Sequence, residues 1–165
     1  MKKNIVWIAT AAFVIAFFTM AAADNPQTPE NKPAPMNPSS SAIVSVRYMI
    51  DDVNAAVAFY TSHLGFKLDV DSSPAFASVT RGNLRLLLSG EKSSGRQPLP
   101  DGTQPVAGGW NRIQLPVSDI KAETARLRAA GVKFRRDDIV SGPGGSQIWI
   151  LDPSGNIVEL FEPKR

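Results

Sequence analysis

The chain has 165 residues, 43% of them hydrophobic, enough to fill one core or two small ones. It has no cysteine, which excludes disulfides, thiolate chemistry and zinc–cysteine sites, and its one histidine, His63, excludes a multi-histidine metal centre within a single chain. The formal charge is +3, but beyond residues 1–23 there are 16 basic and 15 acidic residues, a net +1, so nothing favours a nucleic-acid partner.

Residues 1–23 begin with two lysines, continue as an apolar run from Ile5 to Met20 and end on Ala21-Ala22-Ala23. Those are the three parts of a secretory signal peptide, with cleavage expected after Ala23. The alternative is an uncleaved membrane anchor, since the uncharged span 4–23 counts 20 residues, just enough to cross a bilayer. On either reading the remainder is exported, to the periplasm or the extracellular space. Residues 24–41 hold five prolines and no aromatic residue, and read as a disordered Pro-rich tether.

A folded domain is expected over 42–165. Residues 43–50 have the β-branched and aromatic content of a strand. Asp51 and Asp52 open a helix at its electropositive end, Val53, Ala56, Val57, Tyr60 and Leu64 share one face, and Gly65 stops it. Strands are expected at 66–70, 75–81 and 84–89, the last two joined through Gly82-Asn83. Residues 91–109, rich in Gly, Pro, Ser and Gln, read as a linker or mobile loop. The order then returns: a strand at 112–117, a helix from Asp119 with Ile120, Leu127 and Ala130 inward, a stop at Gly131, and strands at 132–134, 147–151 and 156–161. Asp152-Pro153-Ser154-Gly155-Asn156 makes the last two strands a hairpin. Glu159 lies in the final strand on the face of Ile157 and Phe161, and a carboxylate there is costly to bury without a partner.

The two halves align. Asp52-Val53 matches Asp119-Ile120 at an offset of 67, Leu64-Gly65-Phe66-Lys67 matches Ala130-Gly131-Val132-Lys133 at 66, and Gly82-Asn83-Leu84 matches Gly155-Asn156-Ile157 at 73. A repeat of this length is a duplicated β-α-β-β-β unit, with module one at 43–90 and module two at 110–163. The expected class is α+β: paired βαβββ modules forming a half-open barrel with a central cleft.

The strand–Asp52–helix–Phe59-Tyr60…Leu64-Gly65-Phe66 pattern and the ending Asp152-Pro153-Ser154-Gly155-Asn156-Ile157-Val158-Glu159-Leu160 resemble the vicinal oxygen chelate superfamily, the glyoxalase, bleomycin-resistance and dioxygenase-like proteins. The resemblance spans about residues 43–163. Such a fold hosts isomerases, lyases, oxygenases, transferases and pure binders, so it does not fix an activity. The resemblance implies a divalent metal held by one residue from each of four strands, and these positions fall at Ser45, Leu86, Arg112 and Glu159. Only Glu159 is a suitable ligand, and an arginine at the site opposes a cation. No metal and no other cofactor is therefore expected; a divalent metal enters only if this alignment of the cleft is wrong.

Ser45 and Arg47 share a strand face, as do Arg112 and Gln114. The repeat is expected to bring both faces to one cleft with Glu159, where Arg112 or Arg47 pairs with the carboxylate. Ser45, Arg47, Arg112, Gln114, Trp149 and Glu159 are the candidate ligand-binding residues, and Tyr48 is expected on the core side. Each has a plainer reading: Arg112–Glu159 as a structural ion pair, Trp149 as core. His63 is read as surface or helix cap, Arg126, Arg128, Lys133, Arg135 and Arg136 as a solvated face, and Gly142-Pro143-Gly144-Gly145 as a strand connection. The leading functional reading is an exported binder of an anionic or neutral small molecule that works without a metal. The alternatives are a metal-dependent glyoxalase-like lyase or isomerase, or a dioxygenase-type enzyme, with Glu159 the only candidate base, and an envelope interaction module. The resemblance also implies a homodimer.

Overall fold

A computed structural model describes residues 43–164. The signal peptide and tether expected at 1–41 lie outside the described residues. Module one runs β1 (Val44–Met49), α1 (Val53–Leu64), β2 (Lys67–Ser72), β3 (Phe76–Arg81) and β4 (Leu84–Ser89). Module two runs β5 (Arg112–Pro116), α2 (Ile120–Ala129), β6 (Val140–Gly142), β7 (Gly145–Leu151) and β8 (Ile157–Pro163). Two four-stranded sheets result, ordered β1-β4-β3-β2 and β5-β8-β7-β6. In each, the first strand lies parallel to the last, and every other pairing is antiparallel. This is the βαβββ module made twice, and the sheets leave a half-open cleft rather than a closed barrel.

The local chemistry explains the helices. The side chain of Asp52 accepts from Ala55 N at 3.0 Å and that of Asp119 from Ala122 N at 2.9 Å, so each helix start has a free amide capped. Gly65 ends α1 with φ of 68°, a left-handed conformation that a β-carbon disfavours. Val53, Ala56, Phe59, Tyr60 and Leu64 then pack toward Tyr48, Ile50, Val79, Leu86 and Leu88 in one hydrophobic cluster. That cluster continues into module two through Ile113, Leu115, Ile120, Leu127, Ile148, Val158 and Leu160. Because side chains alternate along β8, Val158 and Leu160 entering the core puts Glu159 on the face away from α2.

Polar ties also cross between modules. The buried Tyr48 hydroxyl accepts from Ile113 N at 2.9 Å and donates to Ile157 O at 3.1 Å, bridging β5 and β8. Tyr60 donates its hydroxyl to Asp152 at 3.0 Å, and Asn156 Nδ2 donates to Met49 O at 3.0 Å. Asp152 also accepts from the backbone amides of Ser154 and Asn156 at 3.0 and 2.8 Å. Burial pushes its carboxyl above the usual aspartate range, against the lowering effect of those bonds.

Several expectations need correction. Residues 132–134 form no strand; Phe134 makes a single bridge to Ile150, and the following Arg135-Arg136-Asp137-Asp138 puts four charges where a strand would continue. The second strand of module two is instead the short β6, joined to β7 through the Gly142–Gly145 connection. Ala130 is exposed, and Thr124 takes the inward place on α2. The 91–109 segment contains a 3-10 turn, Ser94–Arg96, and is clasped to module one. Arg96 donates to Ile50 O at 2.7 Å, to Asp51 at 2.8 Å and to Pro105 O at 3.2 Å.

Candidate functional site

The site is built around Glu159, which is only 5% exposed although it faces away from the core. β8 lies between β5 and β7, so side chains in register from both neighbours converge on it. Gln114 stands opposite Glu159 on β5, and Trp149 opposite it on β7. Gln114 Nε2 donates to Oε1 at 2.7 Å; Arg112 Nε and Trp149 Nε1 donate to Oε2 at 2.6 and 3.1 Å. Gln147, two residues before Trp149 on the same strand face, adds bonds at 3.1 and 2.9 Å with its amide nitrogen turned to the carboxylate. Burial pushes the Glu159 carboxyl up, but the donors from Gln114, Arg112 and Trp149 and the guanidinium charge together hold it below the usual glutamate range. It is an ionised anchor with both oxygens engaged.

The positive side of this cluster remains accessible. Arg112 is 31% exposed in its side chain and lies over the Trp149 ring, 4.3 Å from the centroid. Arg136 lies 5.5 Å from the same centroid, and Arg135 lies 5.7 Å from that of Trp110. Gln114 is exposed as well.

The structure does not bring all the sequence candidates together. Arg112, Gln114, Trp149 and Glu159 form one cluster, with Trp149 on the open face rather than in the core. Arg47 is elsewhere: it donates to the buried Ser89 hydroxyl, and a β-carbon on Gly95 would lie 2.5 Å from its Nη1, so the 3-10 turn sits directly over it. Ser45 is exposed on β1, in register with Arg85, with no bond to the Glu159 cluster. Leu86 is fully buried in the core. The β4 position facing the same way as Arg47 is therefore Leu87, with which Arg47 is in register. The alignment at an offset of 73 holds at the turn but slips by one residue inside the strand. Gln147, Trp110, Arg135 and Arg136 were not singled out from sequence as site residues. Parity with Trp149 could have found Gln147.

With the register corrected, the four positions that the resemblance assigns to a metal fall at Ser45, Leu87, Arg112 and Glu159. An aliphatic side chain, a permanent cation and a carboxylate already saturated with donors do not make a divalent-metal site. Among the described residues, no three His, Cys, Asp or Glu side chains gather where a metal ion could be held. A larger groove of about 770 Å³ lies apart from this cluster, beside the start of α2. Its Glu162 is already the acceptor for Ile120 N at 2.8 Å.

Fold and site together define a chain of paired βαβββ modules with a polar cluster around Glu159 on the open face of the second. The chain belongs to the Glyoxalase/Bleomycin resistance protein/Dioxygenase superfamily, whose family model matches residues 42–160. It is 26% identical over 120 residues to the uncharacterized protein YwbC of Bacillus subtilis, covering 69% of this chain and 91% of that protein. Among solved structures, it resembles a lactoylglutathione lyase from Agrobacterium tumefaciens at 25% identity and a TM-score of 0.59, covering 76% of this chain and 96% of that one. It also resembles TnmS3, an antibiotic binding protein from Streptomyces, at 25% identity and a TM-score of 0.57, covering 75% of this chain and 97% of that one.

Proposed function

We infer that this protein binds a small anionic or neutral molecule on the open face of module two, without a metal. One observation carries the reading: Glu159, the single ligand-type residue among the four metal positions, already accepts from Arg112, Gln114 and Trp149. Those donors occupy both carboxylate oxygens, and a carboxyl held below its usual range is a weak proton acceptor. Its role in this reading is to orient Arg112 and Trp149, which face the ligand. The similarity to an antibiotic binding protein is compatible with a binder, and the similarity to a lyase does not supply the missing ligands. The basic, apolar and small-residue parts of 1–23 support export of the domain.

The test is elemental analysis of the purified protein, followed by calorimetry with nickel, manganese, zinc and iron(II). No stoichiometric metal and no divalent-cation binding is the expected result. One tightly held metal per chain, lost in Glu159→Gln, overturns the reading and puts the metal-dependent enzyme first.

A further inference from the structure

A cavity of about 400 Å³ adjoins the Glu159 cluster, lined by Gly109, Trp110, Arg135, Leu151, Gly155 and Ile157. Its floor is apolar: Leu151 and Ile157 are in register on β7 and β8 and share the open face with Glu159. Its wall is the indole of Trp110, 67% exposed. That exposure is unusual for so large an apolar group, and the backbone on both sides is fixed. Gly108 N donates to Asn156 Oδ1 at 2.9 Å, and Trp110 O accepts from Arg112 Nη1 at 3.3 Å. The indole is thus held out to solvent by an anchored backbone.

The charge beside it is positive. Arg135 stacks on Trp110, its backbone amide donates to Trp149 O at 2.9 Å, and no carboxylate among the described residues lies within ion-pair distance of its guanidinium. Arg112 does not line the cavity but is tied to its wall by the bond to Trp110 O. An apolar floor, a solvent-facing aromatic wall and a guanidinium without a counter-ion match a ligand with a flat ring and a negative group. The volume lies within the range of small-molecule pockets, about 300–1,000 Å³.

We propose that this cavity is a slot for a planar aromatic carboxylate, its ring on the Trp110 indole and its carboxylate on Arg135. The proposal rests on the small-molecule reading above and gives it a ligand class. Ring stacking and an exposed guanidinium–carboxylate pair each contribute modestly, so each contact is expected to change affinity by about 5- to 10-fold.

The test is calorimetry, with tryptophan fluorescence in parallel, on the full chain with 2-naphthoate, 2-naphthalenemethanol and cyclohexanecarboxylate. The slot predicts 2-naphthoate binding one per chain, and the neutral and the non-planar probes binding at least about 5-fold more weakly. Trp110→Ala is expected to weaken 2-naphthoate about 10-fold, Trp110→Phe to recover most of that, and Arg135→Gln to abolish the preference for the anion. Both side chains are exposed, so an unchanged melting temperature confirms that the variants fold. No binding of 2-naphthoate, or binding untouched by both substitutions, overturns the slot. If Arg112→Gln removes binding while the Trp110 and Arg135 variants keep it, the slot fails and the small-molecule site stands. A stoichiometric metal would sink the underlying reading independently.

Discussion

Replacing Glu159 with glutamine tests the electrostatic core of the site. The substitution keeps the shape and removes the charge. Three bonds of 2.6, 2.7 and 3.1 Å from Arg112, Gln114 and Trp149 then meet a neutral amide with one acceptor oxygen. That oxygen can serve Arg112 and Trp149, and the new amide nitrogen can be met by turning the Gln114 amide. What is lost is the charged part of each bond: about 1.5–3 kcal/mol with an ionised acceptor against about 0.5–1.5 with a neutral one. Arg112, 31% exposed, recovers part of its share from water. The expected destabilisation is about 1–3 kcal/mol, a drop of about 1 M in the urea midpoint at unchanged slope. The effect is pH-dependent. The folded-state carboxyl lies below its usual range, so its contribution is complete above the ordinary glutamate pKa and fades as pH falls through the folded value. The variant has no such proton to take up. The difference between the two proteins is therefore full at neutral pH and closes as pH falls through the folded-state value. A difference below about 0.5 kcal/mol at neutral pH, or one that persists unchanged in acid, would refute the account of Glu159 as an ionised, fully engaged anchor.

Tyr48→Phe should cost about 2–3 kcal/mol in urea denaturation, because Ile113 N and Ile157 O both lose their buried partner; a neutral result would mean that β5 and β8 close directly on each other. Arg96→Gln removes the clasp on the 91–109 segment. It should lower stability by only about 1–2 kcal/mol, Asp51 being largely exposed, while limited proteolysis within that segment speeds up several-fold; an unchanged cleavage rate would show that other contacts hold it. Gly145→Ala places a β-carbon 2.2 Å from Glu162 O and 2.8 Å from Phe161 Cζ, so the β6–β7 hairpin must shift. A lowered melting temperature and faster amide exchange at Ser141 and Ser146 are expected, and wild-type exchange would contradict the packing.

The fold was largely legible because both modules carry their own signals: an aspartate cap, an apolar helix stripe and a glycine stop, repeated at a nearly constant offset. Parity along β8 put Glu159 on the side opposite Val158 and Leu160, and the same rule paired Arg112 with Gln114. β4 defeated that rule. Leu84, Leu86, Leu87 and Leu88 are all apolar, so alternation gives no phase, and the offset taken from the turn assigned Leu86 where Leu87 belongs. The second strand of module two was misplaced because Val132 and Phe134 look β-forming, while only the partner strand decides that they make one bridge. Arg47 was expected beside Glu159 by symmetry. Its actual partner, Ser89, ends β4, and the turn above it comes from the segment between the modules, which has no counterpart in the repeat. Asp152 and Asn156 read correctly as turn formers, but a turn signal is local and could not reveal that they reach Tyr60 and Met49.

Those last two contacts bear on how the chain folds as it is made. The Tyr60 hydroxyl and the Met49 carbonyl belong to module one, yet their partners are 92 and 107 residues further along. At about 5–20 residues per second, the ribosome delivers those partners roughly 3–13 seconds after module one has been synthesised. Through that interval module one has the sequence of a finished unit but lacks two of the partners that complete its packing. The duplicated architecture suggests two halves maturing one after the other; the turn at 152–156 makes the earlier half wait for the later one.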